Sequence, residues 1–144
     1  MKQTISRIGF SLCAVGLLAV SAVSQDHDRT EPCSLASLKG SYGFVRTGAE
    51  PAGPMASVGI AVFDGQGNSK FGQTIRVNGV TTSDLFTDPY VDANYTVDRH
   101  CAARFLTPDG TEFGHAVIVD GGREVMILSL SGENTISGVM KKIK

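Results

Sequence analysis

Turn signals recur along this chain too closely for long helices to fit between them. Asp64-Gly65-Gln66-Gly67-Asn68, Asn78-Gly79, Pro108-Asp109-Gly110, Asp120-Gly121-Gly122 and Ser131-Gly132-Glu133-Asn134 supply the residues that tight connections need at positive φ. Between them apolar and polar residues alternate, and no 3.6-residue period persists. The clearest run is 69–77, where Phe71, Ile75 and Val77 oppose Lys70, Thr74 and Arg76. Reading the remainder in the same way predicts strands at 41–47, 55–63, 69–77, 80–87, 93–97, 102–106, 112–119, 123–130 and 135–143. A Gly/Pro loop is expected at 48–54, and Asp88-Pro89 breaks the pattern after the fourth strand. Each strand is too short and too half-polar to stand alone. The expected fold is all-β: a small antiparallel meander of eight or nine strands, curled into a barrel that buries one face and removes open edges.

The chain starts differently. Lys2 and Arg7 precede an apolar stretch, 8–23, that ends in small residues. That order is the pattern of a secretory signal peptide. Cleavage fits after Ser24 or after Ala22. An uncleaved anchor is the competing reading, although the apolar stretch is shorter than the ~20 residues of a typical span. Three segments follow: 1–24 as signal peptide, 25–39 as a polar leader with a short turn, and 40–144 as the barrel. The expected location is secreted or periplasmic, with no membrane contact after cleavage.

Removing Lys2 and Arg7 leaves 11 basic against 14 acidic side chains, a net charge of −3. That argues against a nucleic-acid partner, which needs a basic surface. Cys33 and Cys101 remain. In an oxidising compartment such a pair is expected to bond, stabilising the fold by roughly 4 kcal/mol on the chain-entropy model. The alternative is two separate buried thiols.

Candidate chemistry is sparse. No serine lies in a Gly-x-Ser-x-Gly elbow. Asp64-x-Gln66-x-Asn68 lacks the glycine at position six and the glutamate at twelve of a calcium loop, so it reads as a hairpin. Two cysteines without a nearby histidine pair make a poor zinc site. His100 adjoins Cys101, but a disulfide there leaves no thiolate for a catalytic pair. No catalytic residue, cofactor or metal is assigned. His115 alternates with Phe113 and Val117, and this parity is expected to turn its imidazole into the barrel, with Glu112 on the opposite face. Gln73, between Phe71 and Ile75, is expected to line a cavity or to stand exposed near the open end. Tyr95 is the third candidate for ligand contact.

Leu38-Lys39-Gly40-Ser41-Tyr42 followed by Gly43-Phe44 resembles the opening strand of the calycin group, the lipocalin- and avidin-like barrels. Tyr42 stands where that group has a tryptophan. The resemblance implies a basic residue of the last strand, Lys141 or Lys142, packed over the ring. The chain is also similar to small exported bacterial proteins of unknown function, through Cys33, Gly40 to Phe44, Phe63 to Gly67 and Asp120 to Gly122. The expected function is non-catalytic binding, either of a small apolar molecule in the barrel or of a protein partner on its surface. The alternative is a barrel isomerase or cyclase with His115 as acid or base.

Overall fold

A computed structural model describes residues 32–144, so the expected signal peptide and residues 25–31 of the leader lie outside the described residues. A single 3-10 turn, Leu35–Ser37, precedes nine strands. These are β1 Lys39–Glu50, β2 Gly53–Asp64, β3 Asn68–Val77, β4 Val80–Ser83, β5 Val91–Val97, β6 Ala102–Leu106, β7 Glu112–Val119, β8 Glu124–Ser129 and β9 Thr135–Lys142. Every strand pairing is antiparallel. The sheet runs β2-β1-β9-β8-β7-β6-β5-β3, and the β2–β3 pairing closes it into an eight-stranded barrel. β4 is the extra strand. It takes the edge of β3 at Ile75–Val77, while β5 takes the same edge at Asn68–Phe71.

The turns form where Gly and Asn sit. Asn78 and Gly79 both have positive φ, the requirement of a two-residue hairpin turn. Asp64 Oδ1 accepts from the backbone N–H groups of Gln66 (2.6 Å) and Asn68 (3.0 Å), which makes that segment a hairpin. Two expected boundaries change. The 48–54 loop shrinks to Pro51 and Ala52, because β1 and β2 stay paired out to Glu50 and Gly53. Pro54 is tolerated there because β3 pairs with β2 only from Met55. β4 ends at Ser83 rather than near 87, because Asp84 and Asp88 curl the chain. Asp88 Oδ2 accepts from Ser83 Oγ and Asp84 N, both at 2.8 Å.

Inside the barrel, β1 and β2 pack large against small. Tyr42 faces Ala61, Phe44 faces Gly59 and Arg46 faces Ser57, while Gly40 faces Phe63 and Gly48 faces Met55. A Cβ at Gly59 would lie 2.4 Å from Phe44 Cζ, so the ring occupies the space that glycine leaves. The valines of β2, Val58 and Val62, consequently point outward and are exposed.

One end of the barrel is plugged. Phe63 receives Tyr42 and Tyr95 edge-on, at centroid distances of 5.4 and 5.2 Å. The Tyr42 hydroxyl donates to the Gly122 carbonyl at 2.6 Å. The Tyr95 hydroxyl lies 3.0 Å from the Leu35 carbonyl oxygen and 2.9 Å from that of Leu38. Burial pushes both phenols above their ordinary pKa. Lys142 Nζ stands 5.8 Å from the Tyr42 ring centre, so Lys142 is the basic residue over the ring. The Leu35–Ser37 turn closes this end and is tied down by a Cys33–Cys101 disulfide, with Cα atoms 5.0 Å apart. Among the described residues no helix is long and apolar enough to cross a membrane.

Tyr42→Ala removes a fully buried ring and leaves a carbonyl without its donor. It should cost about 3 kcal/mol or more in urea unfolding. An unchanged midpoint would mean that the ring does not hold this end together.

Four turn carboxylates give the fold an acid limit. Asp64 is held below its ordinary pKa chiefly by the Asn68 side chain, and Asp88 by the Asp84 backbone N–H. Asp98 is lowered chiefly by the Ala102 backbone N–H, and Asp109 by the Thr107 hydroxyl. A depressed folded-state pKa adds stability above the unfolded value and loses it as pH falls through the folded value. Melting temperature should therefore stay level from neutrality to about pH 5 and decline below about pH 4. Asp98→Asn should flatten that decline. A variant that tracks wild type throughout would remove Asp98 from the account.

Candidate functional site

Away from the plug the interior is only partly filled, with Met55, Val77 and Ile136 forming a second, smaller buried cluster. A cavity of about 270 Å³ lies there, near the lower end of the ~300–1,000 Å³ typical of small-molecule sites. Its walls are Phe44 of β1, Phe71 of β3, Phe105 of β6, Phe113 of β7, Ile127 of β8 and Met140 of β9. Phe105 and Phe113 stack at 6.2 Å, and Phe71 meets each edge-on at 5.9 and 6.3 Å. Phe71 and Phe105 also rest on Phe63, 5.9 and 6.0 Å away, so the plug of the closed end supports the cavity wall. Ser83, Asp88, Pro89, Thr107 and Pro108 add a more polar part of the lining.

Among the described residues one cation enters this apolar space. Arg46 lines the cavity from β1. Its Nε donates to Ser57 Oγ at 3.2 Å, and an Nη donates to Gln73 Oε1. Its guanidinium carbon stands 5.4 Å from the centre of the Phe44 ring. Gly138, opposite Arg46 on β9, makes room for the stem, since a Cβ there would lie 2.7 Å from Arg46 Cγ. Among the described residues no carboxylate lies within ion-pair distance of Arg46. Burial pushes its pKa down, and the charge of Glu50 pulls it up. The group stays charged, because a guanidinium does not deprotonate in proteins. Its neighbours are neutral acceptors and a ring face.

Gln73 points into the cavity and orients Arg46. Tyr95 does not reach the cavity: it belongs to the plug, with its hydroxyl at the carbonyls of Leu35 and Leu38. His115 is the correction. Its side chain is 51% exposed on the outer face, hydrogen-bonded to Glu112. The reason is a β-bulge. Phe105 pairs with Gly114, but Leu106 pairs with Glu112, so Phe113 is an extra residue in β7. Phe113 faces the cavity as its parity suggests. The extra residue then resets the alternation, so Gly114, Ala116 and Ile118 are buried while His115 and Val117 are exposed. Glu112 shares the outer surface with His115 and sits 3.6 Å from Arg104. Among the described residues no three His, Cys, Asp or Glu side chains gather as metal ligands.

Arg46 is the residue that sequence reasoning missed. The inward face that begins with Tyr42 and Phe44 reaches Arg46 at the next alternate position. The signal was a cation on a strand face otherwise committed to aromatic rings.

The outer face carries a transverse apolar row. Val58, Val45, Val139, Met126, Val117 and Ala102 are successive lateral partners across β2, β1, β9, β8, β7 and β6. No protein-family model, curated protein or solved structure matches the chain.

The outward His115 makes a direct expectation. His115→Gln should leave both the melting temperature and the binding of a neutral apolar fluorophore unchanged between mildly acidic and neutral pH. A pH-dependent loss of binding confined to this variant would place the imidazole at the ligand after all.

Proposed function

We propose that this barrel is an exported, non-catalytic binding protein that holds one small, mostly apolar molecule in its cavity. The observation that carries the reading is the asymmetry of the barrel interior. One end is packed solid around Phe63, whereas the other leaves about 270 Å³ between aromatic and aliphatic walls. Eight-stranded soluble barrels are just wide enough for such a ligand. The disulfide suits an oxidising compartment, which supports export. The acid–base alternative required the imidazole of His115 in the cavity, and the ring stands outside it. The outer apolar row offers contact area for a protein. Its depression over Ala102, Val117 and Met126 lies more open to solvent than the cavity does.

The test is binding of N-phenyl-1-naphthylamine, a neutral apolar fluorophore, alongside mass spectrometry of small molecules that co-purify with natively exported protein. Ile127→Trp puts an indole into the cavity from β8. It should weaken the fluorophore about tenfold or more, because bulk in a small pocket competes directly with ligand. Its melting temperature should stay close to wild type. Equal binding by wild type and Ile127→Trp would place the fluorophore elsewhere and sink the cavity reading.

A further inference from the structure

We propose that the ligand is a small carboxylic acid with an apolar body, and that Arg46 is the anchor for its carboxylate. The proposal rests on the cavity being the binding site and adds the chemical class of what it holds. A charge taken out of water is normally paired with an opposite charge. Arg46 is half-buried, yet its polar partners are the neutral oxygens of Ser57 and Gln73. The carboxylates that line the same cavity are otherwise engaged. Asp88 accepts from Ser83 and from the Asp84 N–H, and Asp92 pairs with Lys70 at 3.4 Å. Glu50 lies further along β1 and does not reach ion-pair distance.

The fork is also held in place. Ser57 on β2 fixes Nε, Gln73 on β3 fixes an Nη, the Phe44 face lies beneath, and Gly138 on β9 gives the stem its room. Among the described residues no hydrogen bond occupies the other Nη. A guanidinium held this way offers planar N–H donors to a carboxylate without reorganising, and such charge-assisted contacts are the strong ones. The aromatic and aliphatic walls then take the apolar body. The cavity, about 270 Å³, lies near the lower end of small-molecule sites and favours a short apolar body over a long one.

The experiment compares octanoate with 1-octanol as competitors for N-phenyl-1-naphthylamine near neutral pH. In wild type, octanoate should displace the fluorophore at a concentration lower than octanol by about tenfold or more. Arg46→Gln should abolish that preference, bringing octanoate and octanol to about the same displacing concentration. Gln73→Glu keeps Arg46 and puts a carboxylate against it, so it should abolish the preference as well. This second variant covers the case in which Arg46→Gln does not fold. Equal displacement by the two competitors in wild type, or a preference that survives both substitutions, overturns the carboxylate inference and leaves the cavity reading standing. A fluorophore that does not bind wild type overturns both.

Discussion

The hydroxyl of Tyr42 is the constraint on which the closed end depends. A phenol placed inside a barrel brings a polar atom that costs about 1–3 kcal/mol if left unpaired. No side chain supplies its acceptor. The Asp120–Gly122 turn does, with the Gly122 carbonyl 2.6 Å away. Position 122 must then approach the Leu35–Ser37 turn so closely that a Cβ would lie 2.4 Å from the Ser37 carbonyl oxygen. Its φ of 83° is also a glycine conformation. One hydrogen bond thus dictates a residue type, a turn and the path of the N-terminal segment over the barrel. Tyr95 repeats the device with the carbonyls of Leu35 and Leu38. Among the described residues no buried side-chain nitrogen or oxygen is left without a partner.

The aromatic rings carry that rigidity upward. Phe63 touches both tyrosines below and both Phe71 and Phe105 above. The cavity walls therefore stand on a fully satisfied plug rather than on loops. The large-against-small pairing of β1 with β2 decides where the interior is full. Tyr42 and Phe44 fill the space left by Ala61 and Gly59. At the next step Arg46 meets Ser57 and Gly138, and the rung holds a charge in place of a ring. The ring-filled core stops at the rung that holds the cation, and a smaller buried cluster of Met55, Val77 and Ile136 lies beyond it, over Gly48. The oriented guanidinium on that rung is what supports the proposed binding reading over a mere gap in packing.

Much of the fold was legible because turn chemistry is local. Asn78-Gly79 and the Asp64 loop declare their geometry within a few residues, and alternation between them places most strands within one to three residues of their observed ends. The end of β4 was settled by the local Asp84–Asp88 turn, and the loop before β2 by partners distant in sequence. Pro54 looked like a loop residue, but its place on β2 depends on β3 starting to pair only at Met55. The outward turn of Val58 and Val62 depends on the rings of β1 needing the inner face of β2. The residues flanking Gln73 allow either a cavity wall or an exposed place near the open end, and its position in the cavity lining is decided by β2 and β5 packing beside β3. Tyr95 was not separable from a ligand contact by sequence, because its acceptors are carbonyls at Leu35 and Leu38, far away along the chain.

His115 shows most sharply how one residue can invert a site. Parity arguments assume an unbroken period of two. The bulge at Phe113 breaks that period inside a strand with no proline and only one glycine to warn of it. The extra residue has two consequences, and they are linked. It lets Phe113 and Gly114 lie on the same face, which adds a ring beside Phe105 without crowding, since Gly114 has no side chain to compete for the space. It also sends every later odd-numbered residue of β7 outward, His115 among them. A regular strand would have placed either Phe113 or Gly114 inside. The wall beside Phe105 would then be complete only with His115 also facing inward. The bulge gives the cavity its aromatic wall and keeps the imidazole out of it. Among the described residues the hydrogen-bond partners of Arg46, the cation that lines the cavity, are the neutral oxygens of Ser57 and Gln73, in keeping with the proposed hold on an anion.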